Sequence, residues 1–343
     1  MQRPMTCHCG IDTHAHVVPE NFPRYIGIDA PSDWPSMAPA HACHRSVMIA
    51  GKVYRTVSDK CWDAGRRLDD LATMGLDLQV ISPMPELLSY WMKPRDAQQL
   101  LHFLNDQIAA MVAASSGRLA GFGAVPLQDP ELAIRALEYA VQTLGLSGVE
   151  VGSNINGRPI GAPEFEPFFA ACEAMGAAVF VHAIRPAGME RLIGPSALQQ
   201  VLGYPGDVGL AAASVLTSNL IERHPDLRIA FSHGGGTLAM LLPRLQQGWG
   251  VFQALKEGIT TAPREQARRL FYDTLVFDAP TLRHLVSVFG ETQLMIGTDY
   301  PFNFHERQPV AAIDAAGFDS ATRHRLLRGN AQRFLHLPVQ EPA

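Results

Sequence analysis

Two histidines near the amino terminus have the spacing of metal ligands on a strand. His14 and His16 lie two residues apart in the segment IDTHAH. Side chains at positions i and i+2 of a strand point to the same side, so two imidazoles placed there could share one divalent metal ion. The pair alone is weak evidence, because chance and core packing often produce it.

Three later residues strengthen this metal hypothesis. His182 ends the segment AAVFVH, His233 ends RIAFSH and precedes three glycines, and Asp299 ends QLMIGTD. Each follows a predicted strand, at the end where (β/α) barrels place their chemistry. Any one of them alone is better explained as a hydrogen-bonded loop residue. Ionisable residues at four strand ends are harder to attribute to packing, because burying such groups is costly unless they are paired or ligated.

Eight short apolar runs, separated mostly by helical patterns, place these residues in the predicted fold. The predicted strands are Gly10–His14, Leu78–Ser82, Ala120–Val125, Gly148–Val151, Ala178–His182, Arg228–Ser232, Phe271–Thr274 and Gln293–Gly297. Alternating strands and helices indicate a parallel sheet, and eight such units favour a (β/α)8 TIM barrel over an open sheet. No GxGxxG motif follows a strand, which disfavours a dinucleotide-binding fold.

Helical periodicity accounts for most of the segments between the predicted strands. The predicted helices are Ala64–Met74, Asp96–Ser115, Pro130–Leu144, Glu164–Met175, Val208–Arg223 and Ala279–Phe289. Asp129 and Pro130 form a typical helix start, and Gly145 follows the end of the same helix.

One segment interrupts the alternation of strands and helices. Residues 17–60 are rich in Pro, Ser, Ala and His and have little helical periodicity. We interpret them as a small insertion after the first strand, with a hairpin around Ser46–Val57, lying over the mouth of the barrel. Residues 1–337 are then a single barrel domain that includes this insertion, and residues 338–343 are a tail.

Composition excludes several classes of protein. The 343 residues are 47% hydrophobic and 18% charged, which excludes global disorder. The net charge of −5 without blocks of like charge argues against a nucleic-acid partner. There is no long apolar run and no signal-peptide pattern, so we expect no membrane association.

The cysteines predict a reducing compartment. They are five, an odd number, without CxxC spacing, which indicates reduced thiols in a cytoplasmic protein. The segment Cys7–His8–Cys9 could form a metal clip. We favour a simple strand entry there, because no second pair of ligands lies nearby at zinc-site spacing.

Four phrases together resemble a known superfamily. IDTHAH, VHAIRP, FSHGGG and GTDYPF, in this order, resemble the amidohydrolase superfamily. More narrowly, they resemble the branch typified by 2-amino-3-carboxymuconate-6-semialdehyde decarboxylase. The similarity covers nearly the whole chain, including KVYRTVSDKCWDAGRRLDDL, SYWMKPRDA and the closing RGNAQRFL. The HGGG and GTDYPF phrases are specific to this branch, whereas HxH is not.

The resemblance implies a mononuclear metal site without an organic cofactor. It implies one divalent ion, usually zinc with manganese as the other candidate, held by His14, His16, His182 and Asp299 together with a water molecule. It further implies that His233 is a general acid/base beside that water and not a ligand. Asp299 could combine ligation with a proton-transfer role.

The same resemblance assigns two arginines to a small acidic substrate. Arg55, in VYRTV, matches the arginine that grips the substrate carboxylate. Arg244, eleven residues after His233, matches an arginine that reaches into the neighbouring subunit's site, which implies a homodimer. Without the resemblance, both arginines would be taken as solvated surface residues.

Two segments depart from the pattern of the branch. Its typical members carry a Trp-Asp pair and methionines soon after the third histidine, whereas this chain continues His182-Ala-Ile-Arg185-Pro. Arg185 could add a cation for a second substrate carboxylate, or it could point to solvent. His41 and His44, in the HACH segment, could form a second metal site, but we favour a solvated loop.

These features favour a metal-dependent, non-oxidative decarboxylase of an unsaturated or aromatic carboxylic acid. The alternative is a metal-dependent hydrolase or hydratase of a ring-fission product, lactone or amide, because one scaffold hosts both kinds of reaction. A third hypothesis, a metal-binding protein without catalysis, is disfavoured by the complete set of acid/base and metal-binding residues.

Overall fold

The computed structural model of the chain describes residues 10–338. The Cys7–His8–Cys9 segment considered as a metal clip, and residues 339–343 of the predicted tail, lie outside this range. The strands of the described part are β1 Gly10–Val17, β2 Ser36–Pro39, β3 His44–Ile49, β4 Lys52–Ser58, β5 Leu76–Pro83, β6 Leu119–Ala124, β7 Gly148–Gly152, β8 Asn154–Ile155, β9 Arg158–Pro159, β10 Ala178–His182, β11 Ile229–Phe231, β12 Phe271–Asp273 and β13 Leu294–Met295.

Helices connect most of the strands. They are α1 Ala64–Met74, α2 Pro94–Ala113, α3 Pro130–Glu138, α4 Glu166–Ala174, α5 Tyr204–Thr217, α6 Leu220–Arg223, α7 Leu238–Val251, α8 Gln253–Gly258, α9 Pro263–Ala267, α10 Ala279–Phe289, α11 Pro309–Ala315, α12 Ser320–His324 and α13 Asn330–Leu335. Within residues 10–338, no helix is long and apolar enough to cross a lipid bilayer.

Eight of the strands form one parallel sheet that curves into a barrel. Its order is β1-β5-β6-β7-β10-β11-β12-β13, so each strand lies beside the next one of the barrel along the chain. Parallel bridges from Asp12 to Ile296 and from Ala15 to Tyr300 bring the last strand back to the first. The predicted (β/α)8 barrel is therefore confirmed, and each predicted strand overlaps an observed one.

Helix boundaries follow local capping chemistry. Asp129 precedes α3, and its side chain accepts a hydrogen bond from the backbone N–H of Leu132 at 3.0 Å, as expected for an N-cap. The helix predicted over Val208–Arg223 is instead two helices, α5 and α6. Asn219, with a φ of 57°, interrupts it in the left-handed region that asparagine tolerates.

The insertion after β1 forms a small antiparallel sheet. Strands β3 and β4 make the predicted hairpin, and β2 adds a third strand beside β3. The outer strand β4 is mostly exposed, whereas Val47 and Val57 are buried against the barrel. The insertion is thus a cover held to the barrel by a few apolar contacts.

A buried arginine joins α1 to the site-bearing end of β1. Arg67 is fully buried, and its guanidinium donates to Gln79 Oε1 at 2.6 Å and to the backbone oxygen of His16 at 2.6 Å. It also donates to the backbone oxygen of Lys60 at 3.0 Å. These bonds connect the helix, the end of the insertion and β1 around one cation.

Replacing this arginine tests how strongly it stabilises the fold. Arg67→Met should lower the free energy of unfolding by about 3–5 kcal/mol, because the buried acceptors lose their donor. The matched control Arg66→Met removes a neighbouring arginine that is 57% exposed, and it should cost much less, because water screens and replaces the lost ion pair. Urea unfolding of both variants measures the difference, and equal costs would contradict the role given to Arg67.

Candidate metal centre

Two histidines of β1 form the base of the site. His14 and His16 are completely buried, and their Nε2 atoms lie 3.1 Å apart. The ring of Phe180, on β10, lies 5.0 Å from the ring of His14 between centroids. This aromatic side chain is fully buried beside the pair and limits access of water from that side.

Hydrogen bonds fix the orientation of three imidazoles. The Nδ1 atom of His14 lies 2.7 Å from Asp273 Oδ2, that of His16 lies 3.1 Å from the Pro83 carbonyl, and that of His182 lies 2.8 Å from the Ala183 carbonyl. Carbonyl and ionised carboxylate oxygens only accept hydrogen bonds, so each Nδ1 carries the proton. Each Nε2 is left with a free lone pair.

A carboxylate completes the group. Asp299 Oδ1 lies 3.1 Å from His16 Nε2 and 3.6 Å from His14 Nε2. His14, His16, His182 and Asp299 each offer a ligand atom, and the four atoms lie within 4.8 Å of one another. The structure therefore brings together the four residues that the resemblance implied as ligands.

The donor set fits a divalent metal ion. The Nε2 atom of His182 is buried and has no hydrogen-bond partner among the described residues. Converging lone pairs and a carboxylate repel one another unless a cation lies between them. Three imidazole nitrogens and one carboxylate oxygen suit zinc or manganese and leave room for a further ligand.

Burial keeps the imidazoles neutral, as metal ligands must be. It is the main reason why the pKa values of His14 and His16 fall to about 3. It also lowers the pKa of His182 well below the usual value. Neutral imidazole is the form that binds metals, so the site is in its binding form throughout the neutral pH range.

His233 stands beside the four residues without joining them. Its ring centroid lies 5.0 Å from that of His182 and 5.5 Å from that of His14. Its Nδ1 lies 3.0 Å from Ser232 Oγ. Burial, followed by the neighbouring His182 and His14, lowers its pKa to about 3, well below the ordinary value of 6.5 for a histidine.

The three glycines after His233 allow the chain to turn sharply. Gly234, Gly235 and Gly236 all have φ values between 59° and 73°, in the left-handed region. A Cβ atom on Gly236 would overlap the carbonyl oxygen of Pro205. The HGGG phrase thus has a steric explanation, since side chains here would displace His233 or the start of α5.

Asp273 is a site residue that the sequence reasoning missed. Besides His14, its fully buried carboxylate accepts hydrogen bonds from the backbone N–H groups of His233 at 2.9 Å, Gly234 at 2.7 Å and Leu275 at 3.1 Å. Burial raises its pKa, and the nearby His233 and these N–H donors oppose that change. A signal was available, because Asp273 is the next-to-last residue of the predicted strand Phe271–Thr274, near the strand end at which barrels place their chemistry.

A cavity of about 700 Å³ opens above the candidate ligands. His182, His233 and Asp299 lie on its wall, and the insertion contributes Tyr54 and Arg55. The predicted position of the insertion, over the mouth of the barrel, is therefore observed.

Arg55 points its charge into this cavity. Its guanidinium carbon lies 4.2 Å from the ring centroid of Phe302. Within residues 10–338, no acidic side chain forms a salt bridge with it. Arg55 is thus a cation on the cavity wall whose charge is not neutralised by a direct partner.

The other two arginines lie elsewhere. Arg185 is bound by Glu86, with the closest nitrogen–oxygen distance at 2.6 Å, and Arg244 is exposed on α7. Neither lines the cavity in one subunit. His41 and His44 do line it, with rings stacked at 4.3 Å, but they do not belong to a group of three metal-binding side chains in the described part of the chain.

Comparison with known proteins places the chain in a family. A family model described as amidohydrolase matches residues 11–337. This chain belongs to the amidohydrolase family. It is 36% identical over 330 residues to 2-amino-3-carboxymuconate-6-semialdehyde decarboxylase of Dictyostelium discoideum, covering 95% of this chain and 91% of the relative.

Solved structures show the same fold for this amidohydrolase. The IDCase of Metarhizium anisopliae in its apo form superposes with a TM-score of 0.81 at 21% identity, covering 96% of this chain and 97% of that one. A dihydroxybenzoic acid decarboxylase of Polaromonas sp. JS666, with bound manganese and the inhibitor 2-nitroresorcinol, gives 0.76 at 20% identity, covering 97% and 98%.

Asp273→Asn tests the support of His14. The amide removes the charge that holds the Nδ1 proton of His14, so metal affinity should fall about 10- to 100-fold. Titration calorimetry with Mn²⁺ and with Zn²⁺ measures the loss. The control Asp278→Asn changes an exposed helix cap and should leave the affinity unchanged. Equal affinity in the Asp273 variant and the wild type would contradict the role of this carboxylate.

The lowered pKa values of the histidines predict how metal binding depends on pH. Since the folded pKa values of about 3 lie below those of exposed imidazoles, the ligands are already unprotonated at pH 6. Metal binding there should release few protons, and affinity should stay level from about pH 8 to about pH 5. Calorimetry in buffers of different ionisation enthalpy counts the released protons. Release of one proton per histidine would disprove the lowered pKa values.

Proposed function

We propose that this amidohydrolase is a metal-dependent, non-oxidative decarboxylase of an unsaturated or aromatic carboxylic acid. The observation that carries the proposal is the position of Arg55. Its charge has no acidic partner within salt-bridge distance in the described chain, and it lines the same cavity as His182, His233 and Asp299. The decarboxylase from Dictyostelium discoideum, similar over nearly its whole length, supports this reaction class.

We assign binding and orientation of the substrate to residues of the cavity wall. The guanidinium of Arg55 is able to hold a carboxylate through two parallel hydrogen bonds. A divalent ion held by His14, His16, His182 and Asp299 would supply Lewis-acid polarisation of the substrate.

We assign proton transfer to His233. In decarboxylation the bond to the carboxyl carbon breaks, its electron pair passes into the conjugated system and CO₂ leaves. The carbon then takes up one proton. Among the imidazoles on the cavity wall outside the ligand group, His233 is the one beside the candidate ligands, with its ring centroid 5.0 Å from that of His182, so we assign this proton transfer to it. Because burial keeps its ring neutral, His233 first accepts a proton from water and then passes this proton to the carbon. Asp299, whose side chain is 18% exposed, is the second candidate for holding a proton during turnover.

For the metal we propose zinc, with manganese tested beside it. Imidazole nitrogens with a carboxylate oxygen form typical zinc sites with an open position. Manganese is present in the Polaromonas structure. A cytoplasmic location and a role in breaking down aromatic or related unsaturated acids belong to the same proposal. Cys43, Cys61 and Cys172, which are all unpaired, support the reducing compartment.

We further propose that the active unit is a homodimer in which Arg244 reaches the partner's cavity. Arg244 lies on the exposed side of α7 and does not line the cavity of its own subunit. Large apolar side chains near it are exposed, including Met240 at 72% and Phe252 at 62%. Exposed apolar clusters of this kind are typical of interaction surfaces.

A CO₂ assay tests the proposed reaction. Zinc- and manganese-loaded protein is incubated with aromatic carboxylic acids and carboxylated ring-fission semialdehydes. We expect metal-dependent CO₂ release. His233→Asn should retain metal and lose about 100- to 10,000-fold in turnover. The control His102→Asn, on the exposed side of α2, should behave as the wild type.

Other outcomes of this assay separate the alternatives. Substrate loss with incorporation of water and without CO₂ would replace decarboxylation by hydrolysis at the same site. A His233→Asn variant with a near wild-type rate would overturn the assignment of the proton donor.

Dimers formed from two different variant subunits test whether Arg244 serves the site of the partner subunit. Arg244→Ala and His233→Asn subunits should each be inactive as homodimers. If Arg244 serves the partner's site, a purified heterodimer has one intact site and about half of the wild-type rate. No recovery of activity in heterodimers verified by mass would count against sharing.

A further inference from the structure

One cavity wall carries an ion pair that joins two segments far apart in sequence. Glu86 lies three residues after β5, and its side chain is only 11% exposed. Arg185, which follows β10, donates from Nη2 at 2.6 Å and from Nε at 3.2 Å, both to Glu86 Oε1. Glu86 lines the cavity, whereas Arg185 lies behind it.

The charge of Arg185 is already engaged. Its guanidinium stacks on Trp91, 3.1 Å from the ring centroid, and its side chain is 47% exposed. Of the two roles considered for this arginine, a clamp for a second substrate carboxylate is therefore unavailable. The residue that this wall presents to the cavity is the acid and not the base.

The carboxylate of Glu86 retains acceptor capacity. Both contacts from Arg185 go to Oε1, and no described residue donates a hydrogen bond to Oε2. A guanidinium at 2.6 Å is the typical partner of an ionised carboxylate, so Glu86 is an anion with a free acceptor. Burial raises its pKa, while Arg185 and Arg55 oppose this change.

We propose that Glu86 is a specificity-determining residue, which accepts a hydrogen bond from an amino or hydroxyl group of the substrate and rejects a second carboxylate there. The inference rests on the proposed function in one respect, namely that Arg55 holds the substrate carboxylate. The substrate class is then a conjugated acid with one carboxylate facing Arg55 and an N–H or O–H donor facing Glu86.

The physical basis is the opposite charge of Arg55 and Glu86 on the wall of one cavity. A carboxylate gains from the positive Arg55 and is repelled by the negative Glu86, and in a cavity of low dielectric both effects are stronger than in water. A hydroxyl or amino group has the opposite preference, because Glu86 can only accept. A ligand that covers this acceptor without giving it a donor binds less well than one that donates to it.

Matched ligands provide the test. Binding to manganese-loaded protein is measured by calorimetry for hydroxybenzoate, aminobenzoate and benzenedicarboxylate, each with the second group in the meta and in the para position. In the wild type we expect tighter binding of the hydroxyl or amino ligand than of the dicarboxylate. Glu86→Gln should reduce this ratio about 10-fold or more, because the variant loses the anion and leaves the cation of Arg185 unpaired.

Two further variants isolate the effect. Glu20→Gln removes another arginine-paired carboxylate, 52% exposed and away from the cavity, and should leave the ratio unchanged. Arg185→Gln leaves the Glu86 anion uncompensated and should lower dicarboxylate affinity further. Metal content and melting temperature verify that each variant is folded, and Arg185→Gln keeps the test valid if the Glu86 variant is unstable.

The possible results test the role of Glu86 and the proposed decarboxylation separately. An unchanged ratio in Glu86→Gln, or an equal loss for all ligands, would overturn the inference and leave decarboxylation intact. A changed ratio without CO₂ release from any substrate would support the inference and contradict the proposed reaction. Failure of every probe to bind the wild type would overturn both the substrate class and the role of Glu86.

Discussion

The hydrogen bonds that the buried carboxylate of Asp273 accepts hold the candidate site together. It holds the Nδ1 proton of His14 and, through backbone N–H groups, the turn that carries His233. One side chain therefore orients both a candidate ligand and the candidate proton donor. Its burial would be costly without these donors, and the imidazole of His14 would lack a fixed tautomer without the carboxylate.

The same constraint explains why the candidate ligands need a cation. Three imidazoles are oriented so that unprotonated nitrogens face one another and Asp299. Burial lowers their pKa values, which excludes protonation as the way to relieve the repulsion at neutral pH. The barrel strands supply the rigidity for this arrangement, and a divalent ion held there would supply the compensating charge.

Above the candidate metal centre, the insertion and the loops after the strands form the cavity wall and so limit which ligands can bind. The insertion brings Arg55 over the cavity, and the loop after β5 brings Glu86. The buried Arg67 ties the end of the insertion to the backbone of His16, so the cover and the candidate ligands share one support. The cavity wall thus carries a cation, Arg55, and an anion, Glu86, and these two charges would orient a bound acid.

Sequence patterns predicted the barrel and the end of it at which the candidate site residues lie. Periodicity and capping signals are local, and the carboxyl ends of parallel strands meet at one edge, so the histidines and the aspartate at the strand ends could be predicted to converge. The resemblance to the amidohydrolase superfamily then separated the implied ligands His14, His16, His182 and Asp299 from His233. The folded structure alone shows that Asp273 joins two histidines and that Arg185 is bound by Glu86, ninety-nine residues away. It also decided that Arg244 lies outside its own cavity. Those outcomes depend on loop paths and side-chain rotamers that bring distant residues together, and no local pattern of residue types encodes them.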